Sequence, residues 1–136
     1  MSDNQTNDQA NPKIIYMNEE REKLEFKRTI NFKYRSEIDG KEYNGTFTFR
    51  KLTLGDISRI AVIRAQLSGG FPFEVIDPNT LVLNGAIAHL RVWFENDKTV
   101  PEWARDPSTL IDPSVAIALF TEGMSFEDTF RSKRVG

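Results

Sequence analysis

The side chains able to do chemistry are few in this 136-residue chain. Cysteine is absent and His89 is the only histidine. That excludes thiolate catalysis, disulfides and any cysteine-based zinc or iron–sulfur site, and leaves at most one imidazole for a metal site or a Ser-His-Asp triad. His89 stands between Ala88 and Leu90 in an apolar helical stretch. There it reads as a core-edge residue with one backbone partner, or else as a ligand or base, and the first reading makes its mutation cost stability more than activity. Carboxylates gather twice: Glu122, Glu127 and Asp128 on one helical segment, and Asp97, Glu102 and Asp106 in one loop segment. Acid–base work needs two carboxylates held in different environments. Neither group has an apolar frame or a partner base, so both read as solvated surface. No Asp-x-Asp-x-Asp-Gly loop is present to hold calcium. Gly69-Gly70 is the only glycine pair, but no Gly-Lys-Ser/Thr follows and no GxGxxG exists, so it reads as a helix C-cap and not a phosphate cradle. No catalytic residue, cofactor or metal is expected, and a binding or assembly role stands ahead of catalysis.

Recognition has more candidates. Phe71-Pro72-Phe73 and Val100-Pro101-Glu102-Trp103 place large apolar side chains in connecting segments, where they either close the core or anchor a partner. Ile14, Ile15, Tyr16 and Met17 form a short apolar cluster after a polar stretch; it packs on its own domain or serves as a handle for a neighbouring subunit. Residues 1 to 12 lack any apolar period and predict a flexible arm, with 1–23 as the arm as a whole.

These residues must be positioned by ordinary elements. From Leu24, the residues Leu24, Phe26, Ile30, Phe32 and Tyr34 alternate with polar ones, Arg28 being the one exception on the apolar face. After Asp39-Gly40 the alternation resumes at Tyr43, Phe47 and Phe49. Period two on both sides of a turn signal predicts an antiparallel hairpin over 24–52. A two-residue turn at Asp39-Gly40 would pair Phe32 with Phe47, Ile30 with Phe49 and Tyr34 with Gly45. The polar face, with Lys27, Lys33, Lys41 and Arg50, is basic. Three helices follow, at about 54–68, 78–95 and 113–131. The first opens on Thr53 with Asp56 three residues on, and carries Leu54, Ile57, Ile60, Ala61, Ile63 and Leu67 as a broad apolar face; the others open on Asp77-Pro78 and Asp112-Pro113. A hairpin alone is marginal in water, so the expectation is an α+β fold with the hairpin's aromatic face packed on a three-helix domain, one domain spanning 24–136.

Composition agrees with a globular chain: 39% hydrophobic and 28% charged residues. A net charge of −2 removes the electrostatic footprint of a dedicated nucleic-acid binder. The polar, acidic start lacks the pattern of a signal peptide, and no apolar run reaches the roughly 18 residues of a membrane span, so a cytosolic, soluble protein without membrane partners is expected.

The phrases FRKLTLGDISRIAVIRAQLSGGFP, DPNTLVLNGAIAHLRVWFE, PEW and LIDPSVAIALFTEGMSFEDTF resemble small proteins encoded among the morphogenesis genes of tailed bacteriophages, tail assembly chaperones and minor virion proteins among them. The resemblance covers about residues 45–130 and brings no catalytic residue. It implies a non-enzymatic virion structural or assembly component, made in the host bacterial cytoplasm and located in the virion. Its partners would be capsid or tail proteins, or further copies of itself in a homo-oligomer, met through arm, hairpin and loops. The alternatives are a tail assembly chaperone absent from the mature particle, and a small binding module or inhibitor of a host protein. Residues 24–52 carry seven positive and four negative charges, residues 53–130 five and eleven. The layout predicts salt-sensitive contact between neighbours, with Lys33 and Arg50 on one side and Glu122 or Glu127 on the other.

Overall fold

A computed structural model describes residues 25–135, and the side chains of residues 25–131. The expected arm, with Ile14, Ile15 and Tyr16, and the first hairpin residue Leu24 lie outside the described residues. Strand β1 (Lys27–Arg35) pairs antiparallel with β2 (Glu42–Arg50), and helices α1 (Leu54–Leu67), α2 (Pro78–Phe94), α3 (Glu102–Arg105) and α4 (Pro113–Val135) follow. Single 3-10 turns occupy Phe73–Val75 and Pro107–Thr109. The fold is α+β, with the aromatic face of the hairpin against the helices.

The helix starts follow their local signals. Thr53 Oγ1 accepts from Asp56 N at 3.1 Å while Asp56 Oδ2 accepts from Thr53 N at 2.9 Å, closing a capping box. Asp77 accepts from the backbone of Asn79 and Thr80, and Asp112 from that of Ser114. Past the end of α1, Gly69 and Gly70 take φ of 66° and 83° and return their amides to Gln66 and Ala65. Their positive φ explains why the chain places glycine there.

The hairpin register differs from the expected one by two residues. Ile30 faces Phe47, Phe32 faces Gly45, Tyr34 faces Tyr43 and Arg28 faces Phe49. The cause is the turn. Ser36 N donates to Lys41 O at 2.9 Å, so Glu37–Gly40 form a four-residue connection. The Ser36 hydroxyl holds it, accepting from the amides of Ile38 and Asp39 while donating to the buried carboxylate of Asp112 at 2.6 Å. A shift of two preserves the faces because side chains alternate with period two. Phe47 and Phe49 therefore remain fully buried, and Phe47 still meets Phe32 edge-on, with centroids 6.0 Å apart.

The core runs from the inner face of the hairpin to the centre of α2 and α4. Phe47 and Phe49 pack on Phe94 at 5.2 and 5.3 Å between centroids, Phe49 also meets Trp93 at 4.9 Å, and Leu119 and Phe126 complete the far side. Arg28, the exception to the strand pattern, lies over the Phe126 ring at 5.2 Å, so its charge faces an aromatic surface while its stem extends the apolar face. Hydrogen bonds fix the seams: Trp93 Nε1 donates to Arg50 O at 3.0 Å, and Glu127 accepts from Leu52 N at 2.8 Å.

Candidate interaction surface

Helix α1 carries apolar residues almost all round, and α2 covers only one side of it. Ile60 and Ile63 are buried in that contact. Leu54, Ile57 and Val62 are not: Leu54 is 84% exposed and Ile57 51%. Leu54, Ile57, Ala61 and Ala65 recur at helical spacing and are all exposed, so they form one stripe along the outer face. The broad apolar face expected of this helix is thus two faces, one in the core and one outside it. The chain leaving α1 continues the exposed set with Phe71 (66% exposed), Phe73 (46%) and Val75 (68%), and Val82 on α2 follows. Of the ten large apolar side chains exposed among the described residues, seven fall between Leu54 and Val82. Large apolar groups gathered in one region mark contact sites more often than scattered ones do.

The other expected contact residues divide clearly. Trp103, half-buried, sits on Tyr43, Phe47 and Phe32 with centroids 5.4, 5.6 and 6.1 Å away; of its two readings, closing the core is what the structure shows. Arg50 was expected to point outward from the basic face. It turns inward at the end of β2, where its guanidinium pairs with Asp56 and donates to Val92 O at 3.1 Å. Glu127 was expected on the outer side of the last helix. It is ion-paired with Lys51 at 3.0 Å as well as capping Leu52 N. Lys33 and Glu122 remain exposed, Lys33 with only a 3.9 Å approach to Glu42. The polar face of the hairpin is tied across the strands by Thr29–Thr48 and Asn31–Thr46 hydrogen bonds.

His89 is half-buried in α2. Its Nδ1 donates to Gly85 O at 2.7 Å, and its ring lies against Trp93 and Phe120. Burial holds the imidazole below its usual pKa; the Gly85 carbonyl opposes that lowering and the nearby charge of Arg64 adds to it. The ring has a backbone partner and aromatic walls, which is the geometry of a structural histidine. Asp39 is held below the usual carboxylate range chiefly by the Tyr43 hydroxyl, and Asp56 chiefly by Arg50. Each is accounted for by a turn or a cap. Among the described residues no three of His, Asp and Glu come together to hold a metal ion, and no helix is long and apolar enough to cross a membrane. A groove of 610 Å³ opens beside the start of β1, where Glu25, Lys27 and Arg28 meet the hydroxyls of Thr29, Thr48 and Thr129 and the rings of Phe126 and Phe130; among the described residues these hydroxyls bond to one another or to backbone, and none to a carboxylate.

Two polar groups under the exposed region were missed by sequence reasoning. Arg64, on α1, carries its guanidinium carbon 5.1 Å from the Phe73 ring centre, and its Nε is buried without an acceptor; Asn84 Nδ2 on α2 is buried without one as well. The only signal in the sequence is an Arg and an Asn within otherwise apolar helical stretches. No protein-family model, curated protein or solved structure matches the chain.

Proposed function

We propose that this chain is a non-enzymatic assembly protein of a tailed-bacteriophage particle, and that it makes its subunit contacts through the exposed apolar elbow formed by the outer face of α1 and the segment leading into α2. The observation that carries the docking role is the run of exposed large side chains from Leu54 to Val82. Burying one Leu, Ile or Phe from full exposure is worth about 1.5–3 kcal/mol; these side chains stand 46–84% exposed, so a partner covering four or five of them gains about half or more of that for each, set against the cost of association. The phage setting is supported by the resemblance of residues 45–130 to morphogenesis proteins.

The test is mass spectrometry of purified particles of the phage carrying the gene, joined to complementation with Phe71→Ser/Phe73→Ser. The chain is expected in stoichiometric amount, and the double variant is expected to melt as the parent does yet fail to support particle formation. A chain that particle formation requires but that is absent from finished particles would indicate a tail assembly chaperone. Normal particles without the chain would overturn the reading and favour a binder of a host protein.

A further inference from the structure

Three side-chain donors among the described residues are buried without an acceptor: Arg64 Nε on α1, Asn84 Nδ2 on α2 and Arg105 Nε on α3. Arg64 Nε and Asn84 Nδ2 are both covered by protein and unpaired, and Asn84 as a whole is only 8% exposed. Arg64 Nε belongs to the α1–α2 contact, 3.9 Å from where a Cβ on Gly85 would lie. Buried polar groups are nearly always paired, and an unpaired one is costly enough to need a reason.

Of the two cations between Leu54 and Val82, Arg59 pairs with Glu95 at 2.9 Å, whereas Arg64 has no carboxylate within 4 Å among the described residues. Glu74, the acid of the following loop, makes no ion pair with it. Its guanidinium faces Phe73, itself half exposed. A cation without an ion pair therefore lies against the exposed apolar run, its guanidinium on the Phe73 ring. The complement of that arrangement is an acceptor carrying negative charge on an otherwise apolar segment.

The geometry points to Arg64 as the polar reading head of the elbow: a protein partner seats its apolar side chains on Leu54, Ile57, Phe71 and Phe73 and places one Asp or Glu carboxylate on the outer guanidinium nitrogens of Arg64, the Nε being covered by the protein itself. This deepens the docking role proposed above and rests on it. A carboxylate takes two parallel donors from a guanidinium, which adds direction to an apolar contact that has little of its own. Half-buried beside Phe73, the pair is screened less than a surface pair.

The probe is a yeast-displayed random dodecapeptide library panned against the full chain. Selected peptides are expected to carry Asp or Glu flanked by Leu, Phe or Trp. Changing that acid to its amide should weaken binding to the parent chain at least about tenfold, the effect of losing about 1.4 kcal/mol, and should leave binding to Arg64→Gln unchanged. Arg64→Lys, which keeps the charge and loses the fork, should fall between the two and serves should Arg64→Gln not fold. Peptides without acidic enrichment, or acid and amide forms that bind the parent equally, overturn the role of Arg64 while leaving apolar docking standing. If no peptide is selected, or if Phe71→Ser/Phe73→Ser binds selected peptides as the parent does, docking through the elbow falls with it.

Discussion

Gly123 is the point of closest approach between α4 and the aromatic core. A Cβ placed there would stand 2.5 Å from Trp93 Cη2 and 2.8 Å from Phe49 Cε1, and both rings are buried, so neither has room to yield. Alanine gains about 1 kcal/mol over glycine in a helix, whereas forcing a methyl into a packed core costs about 1–3 kcal/mol. Against two rigid rings at these distances the clash wins, and Gly123→Ala is expected to lower the urea midpoint. Gly55→Ala is the control. Its Cβ would meet nothing nearer than Thr53 Oγ1 at 3.7 Å, in the exposed first turn of α1, so it should stabilise by up to about 1 kcal/mol. An isolated glycine inside a helical pattern is the only sequence signal for such an approach, and it does not say which rings are waiting. His89 is the second case at this scale. Burial holds its folded pKa below the usual value, so the folded chain binds the proton less readily than the unfolded one. Its contribution to stability is full above about pH 6.5 and is lost as pH falls through the lower folded value. An NMR titration of the imidazole should place its midpoint below 6.5. A midpoint at or above 6.5 would mean that burial does not govern the ring and that the Gly85 carbonyl and the Glu127 charge outweigh it.

The elements show which information is local. All three long helices begin at the expected caps because a capping side chain and the amides it satisfies lie within three residues of each other. The hairpin's faces were legible for the same reason, since alternation is written in the strands themselves. Its register was not: Asp39-Gly40 suggested a two-residue turn, but Ser36 organises a longer one, and its own hydroxyl is oriented by Asp112, distant in sequence. Nothing near Ser36 announces that partner. The link has a measurable consequence. Ser36→Ala removes the donor to a carboxylate that is 3% exposed, so about 1–3 kcal/mol should be lost, the cost of an unpaired buried group. A variant as stable as the parent would show that neither the bond to Asp112 nor the hydroxyl's bonds from the Ile38 and Asp39 amides holds the hairpin in place. Phe47→Ala probes the same hairpin from the apolar side. With no exposure and contacts to Phe32, Phe94 and Trp103, it should cost about 3–5 kcal/mol in chemical unfolding, which is a large share of the stability of a domain this size.

At the scale of the whole molecule, charge and apolar surface make opposite predictions about association, and side-chain placement decides between them. The basic stretch of residues 24–52 and the acidic remainder suggested that Lys33 and Arg50 of one copy would meet Glu122 or Glu127 of another. Two of those four are already engaged inside the fold: Arg50 by Asp56 and Val92 O, and Glu127 by Lys51 and Leu52 N. Lys33 and Glu122 stay exposed, and an exposed pair is worth at most about 1 kcal/mol. The elbow was hidden from sequence reading because Leu54 and Ile57 are as apolar as Ile60 and Ile63; only the position of α2 distinguishes the covered side of α1 from the open one. Phe71, Phe73, Leu54 and Ile57 together offer several times the free energy of a surface ion pair, and their burial is maintained or strengthened by salt. Association of the chain, with itself or with an isolated partner, should therefore persist between 0.05 M and 1 M NaCl in sedimentation velocity, with only the modest loss that screening of an acid on Arg64 would add. Phe71→Ser/Phe73→Ser should abolish it at both salt concentrations, whereas Lys33→Gln should leave it unchanged. Complexes that dissolve at 1 M salt in the parent chain would return the contact to the hairpin and the acidic helices.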